Sequence, residues 1–209
     1  MSAVALIGAA KTVPAARLRE FLRAGLTDVG ENYVQEGLAK IAELGDDARL
    51  ARWHLIGALQ SNKARQAVGA FALIHGVDRP SLAQALHRAA ENAGLVQDVL
   101  LQVNLGGEAS KSGCAPHEVE NLARCCAALS HLRVQGLMCL PPYDDDAERT
   151  RPYFRQLRAL RDDLVAQKLL PENAQLSMGM SDDFEIAIEE GATMIRIGTA
   201  LFGARGQIT

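Results

Sequence analysis

Short runs of apolar and β-branched residues alternate along this chain with longer amphipathic segments. The short runs fall at residues 4–9, 27–30, 53–57, 72–77, 99–104, 133–139, 175–178 and 193–197. Each is brief and largely apolar at successive positions, as a strand buried on both faces must be, so the pattern predicts eight strands. Between them, apolar residues recur with helical spacing. Phe184, Ala187, Ile188 and Gly191 follow i, i+3, i+4, i+7 and predict one buried helical stripe. Asp182, three residues before Glu185, is the expected cap of that helix and suits its dipole. Phe154, Leu157, Leu160 and Leu164 line one face of a longer helix that ends before Pro171. Pro80, Pro116 and Pro152 sit near helix starts, where a missing N–H costs little.

Strict alternation of strand and helix implies a parallel sheet. Eight strands favour closure into a (β/α)8 TIM-type barrel over an open doubly wound sheet, although the count by itself leaves both in play. No linker, low-complexity stretch or short repeat divides the sequence, so residues 1–209 are expected to form a single barrel domain.

Composition narrows the classes. A hydrophobic fraction of 48% and a charged fraction of 22% are those of an ordinary globular domain. Net charge is −3, so no basic field exists to attract nucleic acid or an anionic membrane. No apolar run reaches the roughly 18 residues of a membrane span. The first residues, MSAVALIGAAK, lack a basic segment and read as a buried strand rather than a signal peptide. Cys114, Cys125, Cys126 and Cys139 form no CxxC pair and have no metal-ligand spacing, which suits a reduced cytoplasm and excludes an expected metal site.

In a parallel barrel, chemistry gathers on the loops after the strands. Lys11 follows ten uncharged residues and projects from a strand end. Such an amine finds a partner, loses its proton, or forms a covalent adduct with an aldehyde. Taken alone, it reads more readily as a surface lysine opening a helix. Gly198, Thr199 and Ser177 add backbone N–H groups and hydroxyls at the last two strand ends, the usual phosphate position in such barrels. Arg196 lies two residues before Gly198 and so shares its side of the strand; it suits a ring nitrogen, or equally a salt bridge to Glu189, Glu190 or another carboxylate. The loop GGEASKSG at 106–113 lacks the glycine before its lysine and is not a nucleotide-binding loop. His54, His75, His87, His117 and His131 show no metal or triad spacing, and His54 reads as a satisfied core histidine.

Over nearly its whole length the sequence resembles the YggS/PROSC family of pyridoxal phosphate homeostasis proteins. The matching stretches are Ala10-Lys11-Thr12, GENYVQE, WHLIGALQSNK, VNLGGEASKSG, GLMCLPP and LSMGMSDDFEIAIEEGATMIRIGTALFG. The resemblance implies a barrel like the N-terminal domain of alanine racemase, without that enzyme's second domain. It implies pyridoxal 5'-phosphate as cofactor, bound as a Schiff base on Lys11. Asn32 would lie beside the cofactor, Ser177, Gly198 and Thr199 on its phosphate, and Arg196 at its pyridine nitrogen.

The implied role is intracellular cofactor homeostasis without efficient catalysis, with transient apo-enzyme recipients and a monomeric or weakly dimeric state. An arginine at the ring nitrogen stabilises carbanions less than a pyridinium would. Tyr33, Tyr143 and Tyr153 do not match the racemase's catalytic tyrosine. A weak amino-acid racemase is the alternative enzyme reading, and a barrel for another phosphorylated molecule is a third. Gly76 and Ala58 replace the serine and proline of the family pattern. Family members carry a helix before the first strand, whereas Met1 here lies almost at that strand. Only seven clear helices are therefore expected between the strands, with bare apolar surface near the first and last.

Overall fold

The computed structural model describes residues 4–108 and 111–203. Every expected strand forms. They are β1 (Ala5–Ala9), β2 (Asp28–Glu31), β3 (Arg52–Leu55), β4 (Leu73–Val77), β5 (Gln97–Val103), β6 (Leu132–Cys139), β7 (Gln175–Ser177) and β8 (Met194–Ile197). All neighbours pair in parallel, and β8 pairs with β1 to close the barrel in chain order. The helices are α1 (Ala15–Arg23), α2 (Val34–Leu44), α3 (Ala64–Ala67), α4 (Pro80–Asn92), α5 (Val119–Ala127), α6 (Arg151–Ala166), α7 (Phe184–Glu189) and α8 (Thr199–Phe202). No helix among the described residues is long and apolar enough to cross a membrane.

The two faces of each strand meet different surroundings, as alternating side chains require. Outward-facing Trp53, Leu55, Ile74, Leu101, Leu137, Leu176, Ile195 and Ile197 join the helices in one large core. Inside the barrel Ile7, Ile56, Leu73, Leu100, Met138 and Met194 form a second, small apolar cluster. The remaining buried positions there are polar, with His54, His75, Ser177 and Arg196 each no more than 3% exposed.

Helix ends follow local chemistry. Pro80 opens α4, and Pro152 lies in the first turn of α6. On α6, Phe154, Leu157 and Leu164 are buried and Leu160 is partly buried, as the spacing predicts. On α7 the expectation needs correction. Asp183, not Asp182, is the N-cap, and its carboxylate accepts the Met180 N–H at 2.6 Å instead of capping the helix. Ile188 is 39% exposed, while Ile186 packs on the core beside Ala187, so the predicted stripe is rotated. A six-residue helix is too short for period alone to fix its buried face.

The bare surface expected at β1 and β8 is covered only in part, by α8. Leu201 and Phe202 reach Gly8, the Phe202 ring meets Phe21 edge-on at 4.7 Å, and Arg17 Nη2 donates to the Phe202 carbonyl at 2.6 Å. Leu6 stays 40% exposed.

Two positions fix the lower-strand geometry. Gly136 sits at φ 152° beside a register shift between β5 and β6, and a Cβ there would overlap the Gln175 carbonyl. Glu190, after α7, takes Arg151 Nη1 at 2.8 Å, Arg155 Nε at 3.0 Å and Arg158 Nη2 at 3.3 Å, locking α6 to the start of β8. Gly136→Ala is expected to destabilise by at least about 2 kcal/mol, lowering Tm by about 4–8 °C in thermal melts. The Arg151 hydrogen bond, opposed by partial burial, holds the Glu190 carboxyl below the usual range. Its stabilisation is therefore present above the ordinary glutamate value of about 4.5 and is lost as pH falls through the depressed folded value. Glu190→Gln should lower Tm by a few degrees at pH 7, a difference that shrinks as the melts are repeated toward pH 3.

Candidate functional site

The strand ends converge on a cleft of about 350 Å³ at the C-terminal mouth of the barrel, the size of a small-molecule site. Lys11, Asn32, Arg196, Gly198 and Thr199 all line it. Apolar walls come from Ile56, Leu140 and Met180, and Ser181 contributes a hydroxyl.

Lys11 is carried on a pinned turn. The Ala10 N–H donates to the Gly30 carbonyl at 2.9 Å, and the Val13 N–H returns to the Ala10 carbonyl at 3.0 Å. That carbonyl also accepts Lys40 Nζ at 2.6 Å, while Lys40 pairs with fully buried Glu31 at 2.5 Å. Burial pushes the Glu31 carboxyl up and Lys40 opposes the shift. Half-buried Lys11 directs its amine to 5.2 Å from the Tyr33 ring centroid, a cation–π distance. Asn32 is held from the neighbouring loop. A Cβ at Gly57 would overlap the Asn32 carbonyl, so only glycine permits β3 to end this close to it.

Arg196 enters from β8 and is buried. Its Nη1 donates to Ser177 Oγ at 2.6 Å and its Nη2 to the Cys139 carbonyl at 2.8 Å. Among the described residues it makes no salt bridge. Glu189 and Glu190 are taken by Arg151, with Arg155 and Arg158 also on Glu190, so the salt-bridge alternative does not hold. Burial pulls the Arg196 guanidinium below its usual proton affinity, with buried Asp183 opposing. A buried cation without a carboxylate partner is costly in stability and is characteristic of a site that takes a ligand.

Ser177 is the departure. Its side chain is fully buried, it does not line the cleft, and its hydroxyl joins Arg196 to His75 Nδ1 at 2.9 Å. Ser181 lines the cleft instead, with its Oγ accepting the Ala200 N–H at 3.3 Å. Behind Ser177, His75 Nε2 meets His54 Nδ1 at 3.1 Å, and His54 Nε2 meets Asp28 Oδ1 at 2.9 Å. His54 is thus a satisfied core histidine, as expected, but it belongs to a connected chain. Sequence reasoning missed that chain, along with Ser181 and the Lys40–Glu31 pair. The available signal was parity: His54 and His75 interrupt neighbouring apolar strands at inward positions. The four cysteines are free, and burial pushes Cys114, Cys126 and Cys139 up to about 12, which keeps those thiols protonated.

Residues 3–206 match the family described as alanine racemase, N-terminal domain. The pyridoxal phosphate homeostasis protein of Aquifex aeolicus is 49% identical over 202 residues, covering 96% of this chain and 86% of that protein. The protein of the same name from Pseudomonas aeruginosa is 50% identical over 205 residues, covering 97% and 85%. Among solved structures, PipY of Synechococcus elongatus with PLP bound is 42% identical and superposes with a TM-score of 0.88, covering 96% of this chain and 92% of PipY. With this identity spread over nearly the full length, the chain belongs to the pyridoxal phosphate homeostasis protein family, built on the alanine racemase N-terminal fold.

Proposed function

We propose that this protein binds pyridoxal 5'-phosphate through Lys11 and serves intracellular homeostasis of that cofactor. The observation that carries the reading is the meeting of one amine, one guanidinium and a hydroxyl-bearing strand end in a single cleft. This donor set fits the group. Lys11 suits the aldehyde, Thr199 and Ser181 with the Gly198 backbone suit the phosphate, and Ile56, Leu140 and Met180 suit the faces of a flat ring. Arg196 suits the ring nitrogen, with Asn32 beside the ring. The names of the relatives and the PLP-bound state of PipY support the same reading.

Bound pyridoxal phosphate supplies an aldehyde that accepts amines and a ring that withdraws electrons from them. The Lys11 amine adds to that aldehyde with loss of one water, forming one C=N bond. The pinned turn at Ala10 keeps the amine at the cleft mouth, beside the apolar walls. Arg196, already donating to Ser177 and to the Cys139 carbonyl, acts as a fixed hydrogen-bond donor rather than a proton source. Such a site favours holding and delivering the cofactor over rapid turnover, with apo-enzymes as transient recipients and the barrel as one binding domain. Free, protonated thiols suit the reduced cytoplasm in which those recipients work.

Borohydride treatment of the protein with pyridoxal phosphate should fix one cofactor on Lys11, visible as an added mass on the peptide containing that residue. Lys11→Ala should abolish the adduct and the visible absorption and weaken binding by about 100-fold or more; an undiminished adduct in this variant overturns the assignment. Ser181→Ala and Thr199→Val should retain the adduct but raise the Kd about 3- to 30-fold each, the worth of one or two hydrogen bonds, in absorbance titrations.

A further inference from the structure

A continuous line of buried hydrogen bonds crosses the barrel interior from one end of the sheet to the other. It runs from Arg196 on β8 through Ser177 on β7, His75 on β4 and His54 on β3 to Asp28 at the start of β2. Arg196 lines the cofactor cleft. Asp28 lies at the opposite rim, where its side chain keeps 13% exposure and Arg52 approaches to 4.0 Å.

The chemistry of the ends sets a direction. A guanidinium can only donate, so Ser177 Oγ accepts from Arg196. The Ser177 hydroxyl then donates to His75 Nδ1, which puts the His75 proton on Nε2. That proton is donated to His54 Nδ1, so the His54 proton is also on Nε2 and is donated to the Asp28 carboxylate. With this arrangement both rings are neutral and every member of the line is satisfied. In the reverse arrangement His75 donates to Ser177, and the serine hydroxyl proton has no acceptor among the described residues. Leaving such a proton unpaired in the interior is expensive.

Burial, with the Arg196 guanidinium adding to it, holds His75 well below the usual imidazole range. The hydrogen bond from His54 leads the effects that hold the Asp28 carboxyl low. The other ionisable groups near the line are Arg52 beside Asp28, and Cys139 and Asp183 beside Arg196.

We propose that His54 and His75, anchored by Asp28, are positioning residues for the cofactor. They fix Ser177 as an acceptor for Arg196, hold the guanidinium against the ring, and balance its charge with a carboxylate four hydrogen bonds away. The proposal rests on the reading that Lys11 and Arg196 hold pyridoxal phosphate.

Two experiments on the full chain test it. In the cofactor-free protein, ¹⁵N NMR of the imidazole nitrogens should show His54 and His75 neutral with the proton on Nε2. For His75 this should persist below the ordinary imidazole value of about 6.5. A proton on Nδ1 of either ring, or titration of His75 near that ordinary value, overturns the relay. In the loaded protein, Asp28→Asn removes the balancing anion, so the exposed positive potential of Arg196 disfavours protonation of the bound cofactor. The midpoint of its absorption titration should fall by about 0.3–1 pH unit, and release should quicken about 3- to 10-fold. Ser177→Ala cuts the line at its other end by deleting one hydroxyl; it should also quicken release, and it carries the test if Asp28→Asn does not fold. Glu190→Gln, which destabilises far from the cleft, should leave the titration midpoint unchanged. Midpoints and release rates equal to wild type in both relay variants overturn the proposal. Loss of the borohydride adduct in the wild-type protein overturns the cofactor reading instead, and the ring spectra still decide the relay.

Discussion

The pairing of β8 with β1 is the constraint on which the site depends. Four residue pairs, from Ala5 with Met194 to Gly8 with Ile197, close the barrel. That register brings the turn carrying Lys11 beside the turn carrying Gly198 and Thr199, although nearly the whole chain separates them. Parallel pairing also sends all eight strands toward the same mouth, so each following loop can reach the cleft. Neither the amine nor the hydroxyls has meaning without that closure. The close approach of Gly57 to Asn32 and the Lys40–Glu31 pair at Ala10 hold the first loops to the same standard.

Closure also creates an interior that must be filled. Its apolar cluster is small, six buried side chains, and a line of polar residues crosses the space beside it. A polar interior is stable only when each donor finds an acceptor, because an unpaired buried group loses the full cost of its dehydration. The line from Arg196 to Asp28 meets that demand with one positive end, one negative end and three neutral members between. It explains why an arginine can sit in the barrel without a carboxylate contact. It also leaves Ser177 as part of the support behind the site, while Ser181 and Thr199 offer hydroxyls at its surface.

The outer shell follows more ordinary rules. The large core between strands and helices is built from the outward parity of each strand and one stripe of each helix. Around it, Glu190 gathers three arginines of α6, which fastens the long helix to the entry of β8. The short α8 lays Leu201 and Phe202 over Gly8 and thereby covers part of the seam where the barrel closes.

The sequence by itself determined the eight strands, their parallel order and the long helices, because local period and composition are enough to specify them. It also singled out Lys11, Asn32, Arg196, Gly198 and Thr199, which stand at strand ends where function gathers in this architecture. Only the tertiary structure decided which polar side chains face each other. The rotation of the six-residue α7, the shift of the cap from Asp182 to Asp183, and the packing of α8 were set by tertiary contacts too weakly encoded in so few residues. The inward direction of Ser177 and the joining of Asp28, His54 and His75 depend on register between strands that lie far apart in the chain. A hydrogen bond between such residues is a property of closure, and no local pattern carries it.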